Sequence, residues 1–541
     1  MNRWLVIFAL VILALVVSPL LAVADDQGHH HEDLTPQQLG TVHFPVSCAA
    51  EVRQPFERGV ALLHSFWYEE AQKEFEDIAR QDPKCAMASW GIAMSLWHQL
   101  WNHPDASTIK SANESLSKGQ ALKPTTDRER DYLAAIATYY RDAEKLDHQA
   151  RAVAYSQAME QMYKKYPDDR EAAAFYALSL LAAEPENDTT FANRKRAAEV
   201  LEKLFALEPD HPGVAHYLIH SYDKPQLAQL GLAAARRYAQ IAPAAPHALH
   251  MPSHIFARLG LWQDDIDSNL ASIAATRKTA AMHMGGEGHQ FHAMDFLVYA
   301  YLQNGREADA RKIIEEVTSM APMKDMYGMG FDPRTYAMSK FPATYALELR
   351  RWSEAAELKP VQGASRGDQS ITYLARAIGA ARSGKTRQAH ADVKAMKTIH
   401  SALLAEKRSA FAAEVEQGIQ VAQAWIAYAE GKHEQALKSL RAVAEKEEAV
   451  GEEPMSIPAR EMLADMLLDS KHPEMALAEY EMDLKFNPNR FNGLYGAAQA
   501  AEMSGKSGKA NSYYSDLVKV CAGSQSDRPE LARAKQLVAK N

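Results

Sequence analysis

The chain has 541 residues, 47% of them apolar and 24% charged, with a formal net charge of −9. That composition supplies ample material for an extended core or a long repeat array. The acidic balance disfavours non-specific nucleic-acid binding, which draws on a basic surface, and no stripe of interleaved arginines and aromatics offsets it.

The first feature in chain order is a secretory signal pattern over residues 1–24. Arg3 supplies the positive start, Leu5 to Val17 an apolar stretch short for a spanning helix, and Pro19 a break. Ala22-Val23-Ala24 then forms a small-residue cleavage site before Asp25. Cleavage there predicts an exported protein, periplasmic or secreted, with no membrane insertion once the signal is gone. An uncleaved anchor is the alternative, since Trp4 to Ala24 carries no charge. Residues 25–50 read as a flexible leader in which His29-His30-His31 forms a loose metal-binding tract or a solvated tail. In an oxidising compartment a Cys48–Cys85 bridge would tie this leader onto the first ordered helices, with Cys521 left over; spacing leaves that pairing open.

From Arg53 onward the chain repeats itself. Gly59, Ala71, Phe75 and Pro83 have the separations of a 34-residue helix–turn–helix unit. Similar marks return at Ala88-Ser89-Trp90-Gly91, at Gly260-Leu261-Trp262, and in the pairs Gly305 and Ala310, Trp352 and Ala355, Gly384 and Ala389, Gly431 and Ala436. Ala476, Tyr480 and Pro488 continue the series, and Gly505 and Ala510 end it. On these residues the chain resembles the tetratricopeptide repeat (TPR) family, as an exported, bacterial-type member, over roughly residues 51 to 520. The resemblance implies an all-α, right-handed superhelix of helix–turn–helix repeats (an α-solenoid) whose concave groove takes a protein, a peptide or a small molecule. The physics agrees: each helix pair has an apolar face that only stacked neighbours bury, and alternation at strand period is absent.

Two long stretches, 102–126 and 141–149, read as insertions or extended helices. Residues 321–335, rich in Gly, Pro and Met, read as a joint or loop between an N-terminal half (51–320) and a C-terminal half (336–541). Residues 440–457 form a weaker, charged boundary.

Nine of the 21 histidines lie between residues 211 and 292. Pro212 and Pro246 are 34 residues apart, and at the same offset His216 aligns with His250 and His220 with His254. His216, His220 and Asp223 share one helix face; so do His247, His250 and His254; His289, His292 and Asp295 rise along the next helix, with Tyr299 one turn on. In TPR proteins the first helices of successive repeats line the groove. The resemblance therefore implies a ligand-binding groove of His216, His220, Asp223, His247, His250, His254, His292, Asp295 and Tyr299. Imidazoles with a carboxylate suit a divalent transition metal, and His216, His220, His250, His254, His292 and Asp223 are the candidate ligands. Asp223 or Asp295 would either bind directly or orient a histidine through its other ring nitrogen. Zinc comes first, copper or iron next; Met251, Met282 and Met284 lean toward copper. Ordinary surface histidines are the bland alternative, since no segment carries a signature such as H-E-x-x-H.

Two functions follow. One is an exported scaffold that binds a partner or small ligand in its groove, with a His/Asp metal site. The other is a metal-dependent hydrolase using the same cluster. Pro252 decides much of this: a helix that begins there would put His247 and His250 on a loop and break the shared face.

Other features carry less. The aromatic groups His64-Ser65-Phe66-Trp67-Tyr68 and Trp97-His98-Gln99-Leu100-Trp101 read as core packing or a pocket wall. Tyr217, Tyr222 and Trp262 read as packing. Gly285-Gly286-Glu287-Gly288 lacks the strand and the Lys-Ser/Thr of a phosphate loop. Ser253 beside His254 points elsewhere on a helix and makes no nucleophile.

Overall fold

The computed structural model describes residues 34–100, 103–284, 288–323, 332–451 and 456–540. The signal, the leader's histidine tract, Trp101, Gly285 to Glu287 and the centre of the 321–335 segment lie outside them. Among the described residues there are helices and no strand, and none of those helices is long and apolar enough to cross a membrane. The expected all-α solenoid is the observed architecture.

The repeat has a local physical cause. The turn between the first and second helix of a unit passes through a left-handed residue, which glycine adopts without a Cβ penalty. Gly260 (φ 63°), Gly305 (71°), Gly384 (73°), Gly431 (80°) and Gly505 (71°) hold that place. Phe66 (53°), Arg350 (54°) and Lys471 (63°) hold it in three other units. Five residues on, a small side chain lets the second helix close against the first. Ala71, Ala310, Ala355, Ala389, Ala436, Ala476 and Ala510 are all buried there. One unit departs from the rule: Asp265 occupies the place after Gly260.

The helices around the histidines are α1 (Arg53–His64), α2 (Arg170–Ala182), α3 (Pro212–Tyr222), α4 (Pro246–His250), α5 (Pro252–Arg258), α6 (Trp262–Ala281) and α7 (Gly288–Gln303). Proline begins α3, α4 and α5, where its missing N–H has no intrahelical partner to lose. The long stretches before α2 are helical at Ala106–Ala121, Asp127–Tyr140 and His148–Lys165.

The solenoid turns back on itself twice. First, the start of the ordered chain meets helices far along it. Thr41 N–H donates to the Asp210 carbonyl (3.0 Å), Ala244 N–H to that of Gln38 (3.1 Å), and Trp67 Nε1 to that of Met284 (3.0 Å). A Cβ on Gly213 would lie 2.3 Å from His64 Nδ1, so only glycine lets α3 approach the end of α1 this closely. Cys48 and Cys85 form a disulfide that fastens the segment before α1 to the next helix pair. Second, the C-terminal units fold onto α3 to α7. Lys224 Nζ donates to the Val450 carbonyl (2.8 Å), and Trp262 Nε1 to that of Asn489 (2.7 Å). Arg490, buried, reaches Glu461 and Glu348 at 2.8 Å each and also the Tyr299 hydroxyl. The apolar cluster from Ala257 to Tyr345 continues across the segment expected to be a joint.

Candidate metal centre

His216 and His220 project from one face of α3, as their spacing requires. The next unit is bent. Met251 keeps helical dihedrals (φ −52°, ψ −33°) and donates to the His247 carbonyl (2.9 Å), and Pro252 then starts α5. The helix does restart at Pro252, yet His247 and His250 keep their places. The bend sets His247 Nε2 against His216 of α3, with the His289 ring of α7 as near (4.9 Å), and sets the His250 and His254 rings against His292 of α7.

Two tri-imidazole sets result: His216, His220 and His247, and His250, His254 and His292. Within each set one ligand nitrogen per ring lies within 4.8 Å of the others. In the first set, His216 Nε2 is 3.1 Å from Nε2 of His220 and 3.1 Å from Nε2 of His247. In the second, His250 Nε2 and His254 Nε2 are 3.1 Å apart, and the His292 ring centroid lies 4.6 Å from that of His250. Three nitrogens around a tetrahedral zinc, each about 2.0–2.1 Å from it, stand about 3.3 Å from one another.

The outer nitrogens fix the tautomers. His216 Nδ1 is 2.6 Å from the His64 carbonyl, which can only accept, so Nδ1 carries the proton. His250 Nδ1 is 2.7 Å from Asn269 Oδ1. The Asn269 amide is oriented by Asp265, since its Nδ2 donates to Asp265 Oδ1 (2.6 Å) and to the Asp265 carbonyl (3.0 Å). His254 Nδ1 donates to Asp223 Oδ2 (2.9 Å), whose other oxygen accepts from Arg258 Nε (2.9 Å). Burial would raise the Asp223 carboxyl, but Arg258 and His254 hold it well below the usual carboxylate range.

The site is enclosed. Phe66 lays its ring 4.3 Å from that of His216 and 5.5 Å from that of His247. Phe296 stands 5.0 Å from the His250 ring and 4.6 Å from that of His254. Tyr238 stacks on His216 at 5.0 Å. His216, His247, His250 and His254 are all buried, and His220, Asp223 and His292 are half-buried. Burial holds His216 and His289 at pKa values of about 3, and those of His247, His250 and His220 well below the ordinary imidazole value. Uncharged rings of this kind are the form that binds metals.

These positions correct several expectations. Four of the six histidines expected to line a concave groove lie buried. His247, expected in the groove but not among the metal ligands, faces His216. Of the two roles expected of Asp223, direct ligand or orienting partner, its place on Nδ1 of His254 is that of the orienting partner. Asp295 accepts from the Tyr336 hydroxyl (2.8 Å). Tyr299 points away to Arg490, because its helix face packs on the returning C-terminal units. Asn269, Asp265 and Phe296 were missed as parts of the site, while His64 and Phe66, read as core packing or a pocket wall, stand against it. A side chain in the glycine place of the repeat, and a carboxyl in its alanine place, mark Phe66 and Asp265 in the sequence.

Two further groupings differ in kind. Glu171 lies between His64 Nε2 (2.8 Å) and His211 Nε2 (2.9 Å), and the Tyr217 hydroxyl meets His64 Nδ1 (2.8 Å). There every ring nitrogen faces an oxygen or an N–H, as in an ordinary buried hydrogen-bond ladder. Cys48 and Cys85 beside Asp82 have their thiols taken by the disulfide.

No protein-family model and no curated protein matches the chain. Among solved structures, the human IFIT1 dimer with m7Gppp-AAAA is similar at a TM-score of 0.34 and 12% identity, over 85% of this chain and 95% of that one. The APC/C hetero-tetramer Cut9–Hcn1 is similar at 0.32 and 10%, over 90% and 89%. Likeness at this level carries no argument about the site, which rests on its own geometry.

Proposed function

We propose that this chain is an exported helical-repeat metalloprotein that holds a divalent transition-metal ion, zinc first and copper or iron next, between His250, His254 and His292. One observation carries the reading. His250 and His254 each commit Nδ1–H to an outward acceptor, so both Nε2 atoms present lone pairs to each other at 3.1 Å. No hydrogen bond joins two lone pairs; a shared cation does, and burial at His250 opposes a proton in that place. The ligand such an interior admits is an ion and a small molecule coordinated to it. Export is supported by the signal pattern of residues 1–24 and by the Cys48–Cys85 disulfide, a bond kept in oxidising compartments.

A second reading, a metal-dependent hydrolase, is favoured by the ligand count. Three imidazoles leave a coordination position, where bound zinc would bring the pKa of water to about 7.

Untagged protein taken from the exported fraction is expected to begin at Asp25 and to carry zinc, copper or iron by elemental analysis. A chelator is expected to remove the metal and lower the melting temperature. Metal-free protein indifferent to chelator and to added zinc would overturn the metal, and a mature chain that keeps residues 1–24 would overturn export. Turnover of ester or phosphoester substrates by the loaded protein, lost in His254→Ala, is what the hydrolase reading requires.

A further inference from the structure

We infer that the centre is dinuclear: a second transition-metal ion sits between His216, His220 and His247, beside the ion between His250, His254 and His292. The inference rests on the metal reading above and goes beyond it in number and placement.

The first set brings three ring nitrogens to one point. The proton of His216 is on Nδ1, committed to the His64 carbonyl, so His216 Nε2 offers one in-plane lone pair. Two imidazole nitrogens approach that single lone pair at 3.1 Å, from α3 and from α4. The three ring nitrogens converge within 4.8 Å of one another, and the 3.1 Å separations are close to the edge of a zinc or copper coordination tetrahedron, so one cation can be held by all three. The Glu171 ladder beside it shows the contrasting arrangement, with a carboxylate between the imidazoles.

The two sets are adjacent. His247 and His250 have ring centroids 6.2 Å apart, and His220 and His254 6.4 Å apart. Each combines two histidines four residues apart, on α3 in the first set and across the α4–α5 bend in the second, with a third ring from a neighbouring helix. Both place an aromatic ring against the cluster, Phe66 on the first and Phe296 on the second. The donors are imidazoles, with Asp223 behind one of them, so the class of ion is one that imidazole suits: zinc or copper, in preference to calcium or magnesium.

The test uses the untagged full chain, in parallel with a form carrying His29→Ser, His30→Ser and His31→Ser, so that the leader tract contributes no metal. Chelator-stripped protein is titrated with zinc and, separately, with Cu(II). Two equivalents per chain are expected, falling to one in His216→Ala/His220→Ala and to one in His254→Ala/His292→Ala. With Cu(II), the paramagnetic resonance spectrum at two equivalents is expected to be dipole-broadened or reduced in intensity, and sharp at full intensity in either double variant. One equivalent in the unmutated site, with a sharp spectrum, overturns the second ion and leaves the metal reading standing. No bound metal overturns both. The wild-type stoichiometry decides the matter even where a variant fails to fold.

Discussion

At the scale of the residue, Asp265 shows what the site demands of its surroundings. In seven other units its place is an alanine that lets two helices close. Here a carboxyl is buried, with one oxygen on Asn269 and the other without a hydrogen-bond partner among the described residues. Burial raises its pKa well above the usual value, so the folded chain holds this group protonated. The unfolded chain releases that proton above its ordinary pKa. Asp265 therefore lowers stability progressively as pH rises through that value toward the raised one, and its titration adds no cost below it. Asp265→Asn keeps an acceptor for Asn269 and removes the titration. It is expected to raise stability at pH 7 by about 1–3 kcal/mol, the cost of a poorly satisfied buried polar group, and by less at pH 4. Thermal melts at the two pH values check this; an equal gain at both would mean that the carboxyl does not titrate on unfolding.

At the scale of the element, the turn after α1 and the bend between α4 and α5 do the positioning. Phe66 accepts a left-handed backbone that five other units give to glycine, and in that posture its ring covers His216 and His247. Phe66→Gly relieves about 1–3 kcal/mol of backbone strain and gives up about 3–5 kcal/mol of buried aromatic packing. The variant is expected to melt lower than wild type and, on the metal reading proposed above, to release the ion to a chelator faster, followed by stopped-flow with a chromogenic chelator. An unchanged rate of metal loss would show that Phe66 only packs.

The histidine register at this scale is legible in the sequence, because a repeat of 34 residues projects His216 and His250, and His220 and His254, alike. The grouping is not legible. Whether His247 sides with His216 or His250 depends on the direction of a bend. The bend at Pro252 is visible as a proline, but its direction is set by packing of α4 and α5 on α6 and on the helix Ala228–Ile241. The roles of ring nitrogens are further out of reach. His216 is turned by a carbonyl 152 residues away, and His254 by a carboxylate 31 residues away. Sequence spacing describes faces of helices; it does not describe which atom of a ring meets which neighbour.

At the scale of the molecule, the solenoid is held in a closed course by contacts between distant units. Gly260 is one of its narrowest points: a Cβ there would lie 2.3 Å from the Pro488 carbonyl oxygen, and its φ is +63°. Gly260→Ala is expected to loosen the C-terminal units from α5 and α6, seen as a larger radius of gyration in solution scattering and earlier proteolysis near residues 488–491. A radius of gyration equal to that of the wild type would show that the Arg490 network alone holds the closure.

The contact between His64 and His216 also dates the site within the life of the chain. It joins residues 152 apart, and the Trp67–Met284 contact joins residues 217 apart. Neither can form until α3 and then α6 have emerged and folded, and pairings so distant in sequence form late. A chain threaded unfolded across a membrane would complete both on the far side. Its histidines would first converge where the cell's internal metal buffering no longer applies. On the metal reading, the ion held there would then be set by the supply outside as much as by the geometry of the rings.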